Sequence, residues 1–306
     1  MKLGIFTGAT GFGSTIGSIV ADAQQAEAEG FATYAMANIF SYDAIGTLTL
    51  VGAQTDSIEL MTAVVPTYPR HPQAMAQQAL TAQAAAGGRR FVLGIGLSHA
   101  VVIEGMYGIS FDKPARHMRE YLQVLNPLLA GETARHDGDQ YSRVRVAMSV
   151  EDAEPVSCMV AAMGPVMLRI AGEMTDGTIL WMTAAKTVET HIGPRIRAAA
   201  ADAGRSEPRI VVGLPVMLNS DVDAGRASAA AQFSNYGNLP SYRSMLDTEG
   251  VANPEDVALI GTEEALETEL RRLRDVGATD FGAVTYGTAE EQARTREFLA
   301  ALAPEI

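Results

Sequence analysis

Eight times along the chain, a run of apolar and often β-branched residues gives way to a segment whose apolar positions recur at helical spacing. The runs are Leu3 to Phe6, Phe31 to Met36, Ile58 to Val65, Phe91 to Gly96, Val156 to Ala162, Thr178 to Met182, Ile210 to Leu218 and Asp280 to Thr285. They read as continuous rather than alternating, so the strands are expected to be buried on both faces, as in a parallel sheet covered by helices. The helical segments begin with Ser14 to Glu29, where Ile16, Ile19, Val20, Ala23 and Ala26 share a face, and end with Glu263 to Val276 behind Thr262 and Ala289 to Leu302. Eight such units favour an α/β architecture closed into a (β/α)8 TIM barrel over an open doubly wound sheet. No linker divides the 306 residues, so one domain over 1–306 is expected. The roughly 50 residues beyond a typical barrel are assigned to insertions after strand four and near residues 234–254, the latter read as irregular. Asp137-Gly138 marks a hairpin within the first insertion.

Charge narrows the partners. With 36 acidic against 23 basic side chains, the formal charge is −13, and no basic run interrupts it. Such a field repels nucleic acid and anionic membrane. No window reaches the ~20 apolar residues of a membrane span, and Leu3 to Phe6 is too short for a signal-peptide core. The single cysteine, Cys158, lies in an apolar run and is expected to be a buried thiol. A small-molecule substrate and a reducing, cytoplasmic location are the expectation.

Two motif readings are weak. Thr7 to Gly13 is a glycine-rich turn between strand and helix, but the dinucleotide fingerprint also needs an acid at the end of the second strand, where this chain has Ala37-Asn38. The five histidines never pair at zinc-ligand spacing, and there is no Gly-x-Ser-x-Gly elbow, so neither a metal site nor a serine hydrolase is expected.

In a barrel the chemistry sits just after each strand. Those positions here are Thr7 to Gly13, Asn38 to Tyr42, Val65 to His71, Gly96 to His99, Ala162 to Gly164, Trp181-Met182, Asn219 and Tyr286-Gly287. Aromatic, amide and glycine residues dominate, which suits a flat heteroaromatic ligand better than metal-assisted hydrolysis. Ala162-Met163-Gly164-Pro165 starts a helix whose free N–H groups suit a phosphate. His99 is the histidine that falls directly on a strand's C-terminal end, and Trp181 is a candidate pocket wall. His71, before Pro72, reads as a helix-entry residue.

The run His71-Pro72-x-x-x-Ala76-x-x-x-x-Thr81, then Gly87-Gly88-Arg89 and Leu93-Gly94-Ile95-Gly96, resembles a signature of bacterial-luciferase-like flavin and deazaflavin oxidoreductases. Ala171-Gly172-Glu173-x-x-Asp176-Gly177 before Trp181 resembles that family's second signature. Tyr68 to Pro72, Gly94 to His99 and Arg119 to Leu122 look most like an actinobacterial branch that uses coenzyme F420.

The resemblance implies an isoalloxazine-like ring at the barrel mouth, supported by a strand-three bulge around Ala63-Val64-Val65 that in family members often carries a non-proline cis peptide. Phosphate contacts carry over to Ala162, Met163 and Gly164, and strand-four contacts to Gly96, Ser98 and His99. The bulge contributes Val64 and Val65, and Asn38, Arg70 and Trp181 complete the cofactor set. Asn38 stands where deazaflavin sugar-phosphate dehydrogenases have a histidine, which argues against that substrate. The expected activity is F420-dependent hydride transfer to or from a small electron-poor molecule, with His99 as proton donor or polariser and Tyr42 or Tyr68 as substitutes. The alternatives are an FMN-dependent two-component monooxygenase and a non-catalytic ring-binding protein. A homodimer through helices between Asp43 and Ala86 is expected, as in relatives.

Overall fold

A computed structural model of the chain describes residues 1–8, 14–88 and 90–306. The glycine-rich turn at 9–13 and Arg89 of the first signature lie outside the described residues. Eight parallel strands close into a ring: β1 (Lys2–Thr7), β2 (Thr33–Met36), β3, β4 (Phe91–Gly96), β5 (Ser157–Val160), β6 (Gly177–Trp181), β7 (Arg209–Leu218) and β8 (Asp280–Thr285). β3 has two pieces, Glu59–Thr62 and Val65–Pro66, on either side of a cis peptide between Ala63 and Val64. β6 pairs with β7, β7 with β8, and β8 with β1, which completes the closure.

Side chains alternate between the lumen and the helix layer. At the bottom of the lumen, Arg209 bridges Glu59 and Asp280. Above it lies an apolar layer of Ala35, Met61, Val92, Met159, Ile179 and Val211. Phe6 tops this layer over the backbones of Gly213 and Gly282: a Cβ on Gly282 would lie 2.2 Å from the Phe6 ring, so the plug needs glycine there. Every residue of β4 is buried, as its unbroken apolar run requires.

The surrounding helices follow the sequence pattern with readable ends. Thr262 accepts the Ala265 N–H at the start of Glu263–Asp275, and Arg272 and Arg274 sit in its last turn. His71 caps Pro72–Ala85 through Nδ1, which accepts the Gln73 N–H at 3.2 Å. Cys158 is fully enclosed, and burial pushes its thiol far up.

Several elements depart from the sequence expectation. The helical segment after β6 is not continuous: it starts at Ala185–Thr187, widens into a π turn over Val188–Ile192 and resumes as Gly193–Asp202, because Pro194 has no N–H to continue the ladder. The stretch near 234–254 is not irregular: it holds a 3₁₀ turn (Ser234–Asn238), the helix Pro240–Glu249 and a second 3₁₀ turn (Pro254–Val257). Leu259–Gly261 adds a short parallel strand beside the upper half of β7. After β4, the helix Ala100–Ile103 precedes Pro114–Leu129, and Ala134–His136 pairs antiparallel with Val144–Val146 as the expected hairpin. Glu120 fixes that hairpin's turn by accepting the N–H groups of Asp139, Gln140 and Tyr141.

Candidate functional site

The inward-facing parity that fills the lumen also builds a cavity at its upper end. Phe6, Ala37, Ala63, Ala161, Trp181 and Val284 continue the lumen-facing positions of six strands and line a space of 280 Å³ at the C-terminal face. Val64 forms part of the lining where β3 is interrupted. Gly96 makes room for it, since a Cβ there would lie 2.8 Å from Val64 Cγ2 and 3.3 Å from Ala161 Cβ. Val65 sits behind this surface, fully buried and paired with Ile95.

The polar groups in the lining are neutral. Asn38 belongs to it and uses Oδ1 to accept the Ala44 N–H at 3.0 Å, at the start of helix Ala44–Gly52. Ser98 and His99 follow β4, and Ser98 takes a left-handed backbone (φ 60°), a costly conformation for serine that recurs at ligand-binding sites. His99 occupies the N-cap position of Ala100–Ile103 without capping it through its side chain. Its ring stands 5.5 Å from Tyr242, and burial lowers its pKa from the ordinary histidine value. The imidazole is therefore neutral at pH 7 and can donate one N–H to a bound carbonyl.

A further wall comes from the 234–254 insertion. Tyr236, Leu239 and Tyr242 line the cavity, with Tyr236 edge-on to both Trp181 and Tyr242. Burial raises both phenols, so they remain protonated donors. Trp181 Nε1 is buried with no hydrogen-bond partner among the described residues, although the nearby indole partly offsets the rise at Tyr236. Glu249 anchors this wall by accepting the Thr187 N–H at 2.8 Å and its hydroxyl at 2.7 Å. At the rim stand Ile39, Phe40 and Tyr107, the last two edge-to-face with ring centroids 6.5 Å apart.

The residues named from sequence thus separate into three groups. His99, Asn38, Val64, Ser98, Met163 and Trp181 line the cavity together. Gly96 and Val65 support it from behind, and Ala162 uses its backbone N–H and carbonyl on Thr178 Oγ1. Gly164 is exposed at the N-cap of Pro165–Met174, with no side-chain cap and nothing within 4 Å of where a Cβ would stand. Tyr42 is packed against the core, outside the lining. Tyr68 is also outside it, stacked on His117 at 4.0 Å, with its pKa pushed up to about 12 by burial and by Asp112 and Glu104. Arg70 is ion-paired to Asp43, so its charge is already engaged. Sequence reasoning covered Phe40 only within the strand-end segment Asn38 to Tyr42 and did not single out Tyr107, Tyr236, Leu239 and Tyr242, which lie in the two insertions.

These features fit a flat ring carrying a phosphorylated arm. The open, side-chain-free helix start at Gly164 would take the phosphate, and the Val64 surface would support the ring. The sequence model of the family described as luciferase-like monooxygenase matches residues 1–295. The chain belongs to the luciferase-like monooxygenase family.

Among relatives of this luciferase-like chain, 5,10-methylenetetrahydromethanopterin reductase of Methanolobus tindarius is 31% identical over 213 residues, a match spanning 69% of this chain and 64% of the reductase. Among solved structures, the coenzyme F420-dependent tetrahydromethanopterin reductase from Methanopyrus kandleri superposes with a TM-score of 0.81 at 20% identity, covering 98% of this chain and 97% of that one. The FMN complex of the oxygenating constituent of 3,6-diketocamphane monooxygenase from Pseudomonas putida gives 0.78 at 16% identity, covering 100% and 98%. At these identities the structural likenesses establish the barrel.

Proposed function

We propose that this chain is an F420-dependent oxidoreductase that transfers a hydride between the deazaflavin and a small electron-poor organic substrate. The observation that carries the reading is the apolar, neutral-walled cavity over the Val64 bulge, with an uncapped helix start close in sequence to lining residues Ala161 and Met163. The F420-dependent reductase among the matched structures supports it. When bound, a deazaflavin supplies a two-electron hydride. The chain's own residues then have three tasks. Val64, Ala63 and Trp181 hold the ring's plane, His99 donates its imidazole N–H to the substrate's polar atom, and the rim excludes water. His71 and His136 are engaged elsewhere, with the Gln73 N–H and with Glu120 respectively.

His99→Ala is expected to lower kcat/KM by about 100-fold and, since the protonated ring is the stronger donor, to remove the part of the pH profile in which activity falls as pH rises through the His99 pKa, which burial lowers from the ordinary histidine value. Wild-type turnover by that variant across the pH range would remove His99 from the reaction. Titration of the purified protein with both cofactors tests the cofactor itself: tight FMN binding with no affinity for F420 would favour the rival monooxygenase reading, for which the FMN-bound neighbour is the support. Cofactor binding without turnover across varied acceptors would favour a carrier. A homodimer through helices Ala44–Gly52 and Pro72–Ala85, where Leu50 is 45% exposed, is part of the proposal and is read by sedimentation.

A further inference from the structure

The rim of the cavity carries information that the cofactor reading leaves unused. Phe40 and Tyr107 line it, yet they are 54% and 41% exposed, and Val101 and Met106, in the same segment as Tyr107, are 59% and 62% exposed. The core does not cover this aromatic and aliphatic edge, which is the kind of apolar surface that a ligand covers. Among the described residues, no Asp, Glu, Lys or Arg lines the cavity. In the sequence, the stretch that follows Thr7, from Gly8 to Ser18, contains no charged residue either. The cations of the surrounding segments stay outside the lining: Arg70 is ion-paired to Asp43 and Arg116 to Asp139, and Lys113 and Lys186 are exposed.

We propose that the acceptor is uncharged and largely apolar, and that the Phe40–Tyr107 pair is the element that selects it. The proposal rests on the reading of the cavity as the place where ring and acceptor meet. An anionic group entering this mouth would lose its water and find no cation, whereas a neutral carbonyl needs only the donors that His99, Tyr236 and Tyr242 supply. A sugar phosphate or a carboxylate-bearing acceptor is disfavoured by the same reasoning.

The chain's single tryptophan makes the test direct, since Trp181 is in the cavity wall and its fluorescence reports occupancy with or without cofactor. Naphthoquinone and naphthoquinone sulfonate, a matched pair differing in one charge, would be titrated against the full-length protein. The neutral quinone should bind about 100-fold more tightly. The preference should survive molar salt, which screens the −13 chain but leaves the uncharged lining unchanged. Tyr107→Arg, at a half-exposed position, should narrow the ratio by about tenfold. Equal affinities, a ratio that collapses in molar salt, or a ratio indifferent to Tyr107→Arg would each overturn the proposal. Failure of F420 itself to quench Trp181 would sink the cofactor reading instead, and the quinone ratio would still be readable.

Discussion

At the bottom of the barrel, Arg209 is clamped between Glu59 and Asp280 at 2.7 and 2.6 Å, whereas at the mouth no described lining residue is ionic. Both ends are built by the same alternating strand positions. The difference lies in who supplies the partners. The lower charges are satisfied internally, with Thr33 and Thr279 adding hydroxyl donors, so nothing is left over for a ligand. At the upper end the His99 imidazole lines the cavity and makes no capping bond to its own helix. One end of the lumen is a finished ion-pair network and the other a set of neutral groups.

The comparison can be attacked most strongly from below. Arg209→Ala strands two carboxylates, one of them 6% exposed, and is expected to cost about 3–5 kcal/mol, read from urea unfolding. Replacing Arg209, Glu59 and Asp280 together by apolar residues should cost less than the single change; a larger loss would mean the ions are worth more than their desolvation.

Near the mouth end, charge is instead suppressed by burial. His117, 4% exposed and bonded to Thr67 at 3.0 Å, has its pKa lowered from 6.5 to about 4, first by burial, against a smaller opposing pull from Glu120. The unfolded chain binds this proton from pH 6.5 downward, but the folded chain only near 4. Stability should therefore fall by about 3 kcal/mol as pH drops across that window and level off below it. His117→Gln should flatten the slope, and an unchanged slope would assign it to other groups.

Between the two ends, Gly282→Ala would force a methyl against Phe6 and cost about 2 kcal/mol, with Phe6→Leu in the same chain restoring most of it in thermal melts. The smallest effect is expected for Arg70→Ala. Its pair with the half-exposed Asp43 is worth roughly 0.5 kcal/mol, and deazaflavin affinity should change less than about threefold. A loss of tenfold or more would return Arg70 to the cofactor set.

The barrel was legible because its signals are local. Continuous apolar runs such as Phe91 to Gly96 need no tertiary information, and Thr262 announces its helix by residue type alone. The mouth was half legible. Residues fixed by a strand's end, such as His99 and Trp181, could be placed by counting along the strand. The helix Pro240–Glu249 could not, since Gly237, Pro240 and Gly250 punctuate it and only Met245 and Leu246 are buried. What holds it over the mouth is Glu249 reaching Thr187, a contact 62 residues away that no local pattern encodes. Arg70 and Tyr68 illustrate the converse: both follow a strand, but an ion pair and a stacking partner hold them away from the lining.

β7 runs on past the ring, and the short strand Leu259–Gly261 pairs with Val216, Met217 and Leu218 on that extension. The segment from Asn219 to Ala258 therefore leaves the sheet and rejoins it one strand spacing away. In engineering terms it is a cassette, with its two ends already tied, so that a change in its length leaves the barrel's register intact. Because Tyr236, Leu239 and Tyr242 all ride on it, exchanging that one stretch of chain would rebuild the outer wall of the cavity while leaving Val64, Phe6 and the strands beneath untouched.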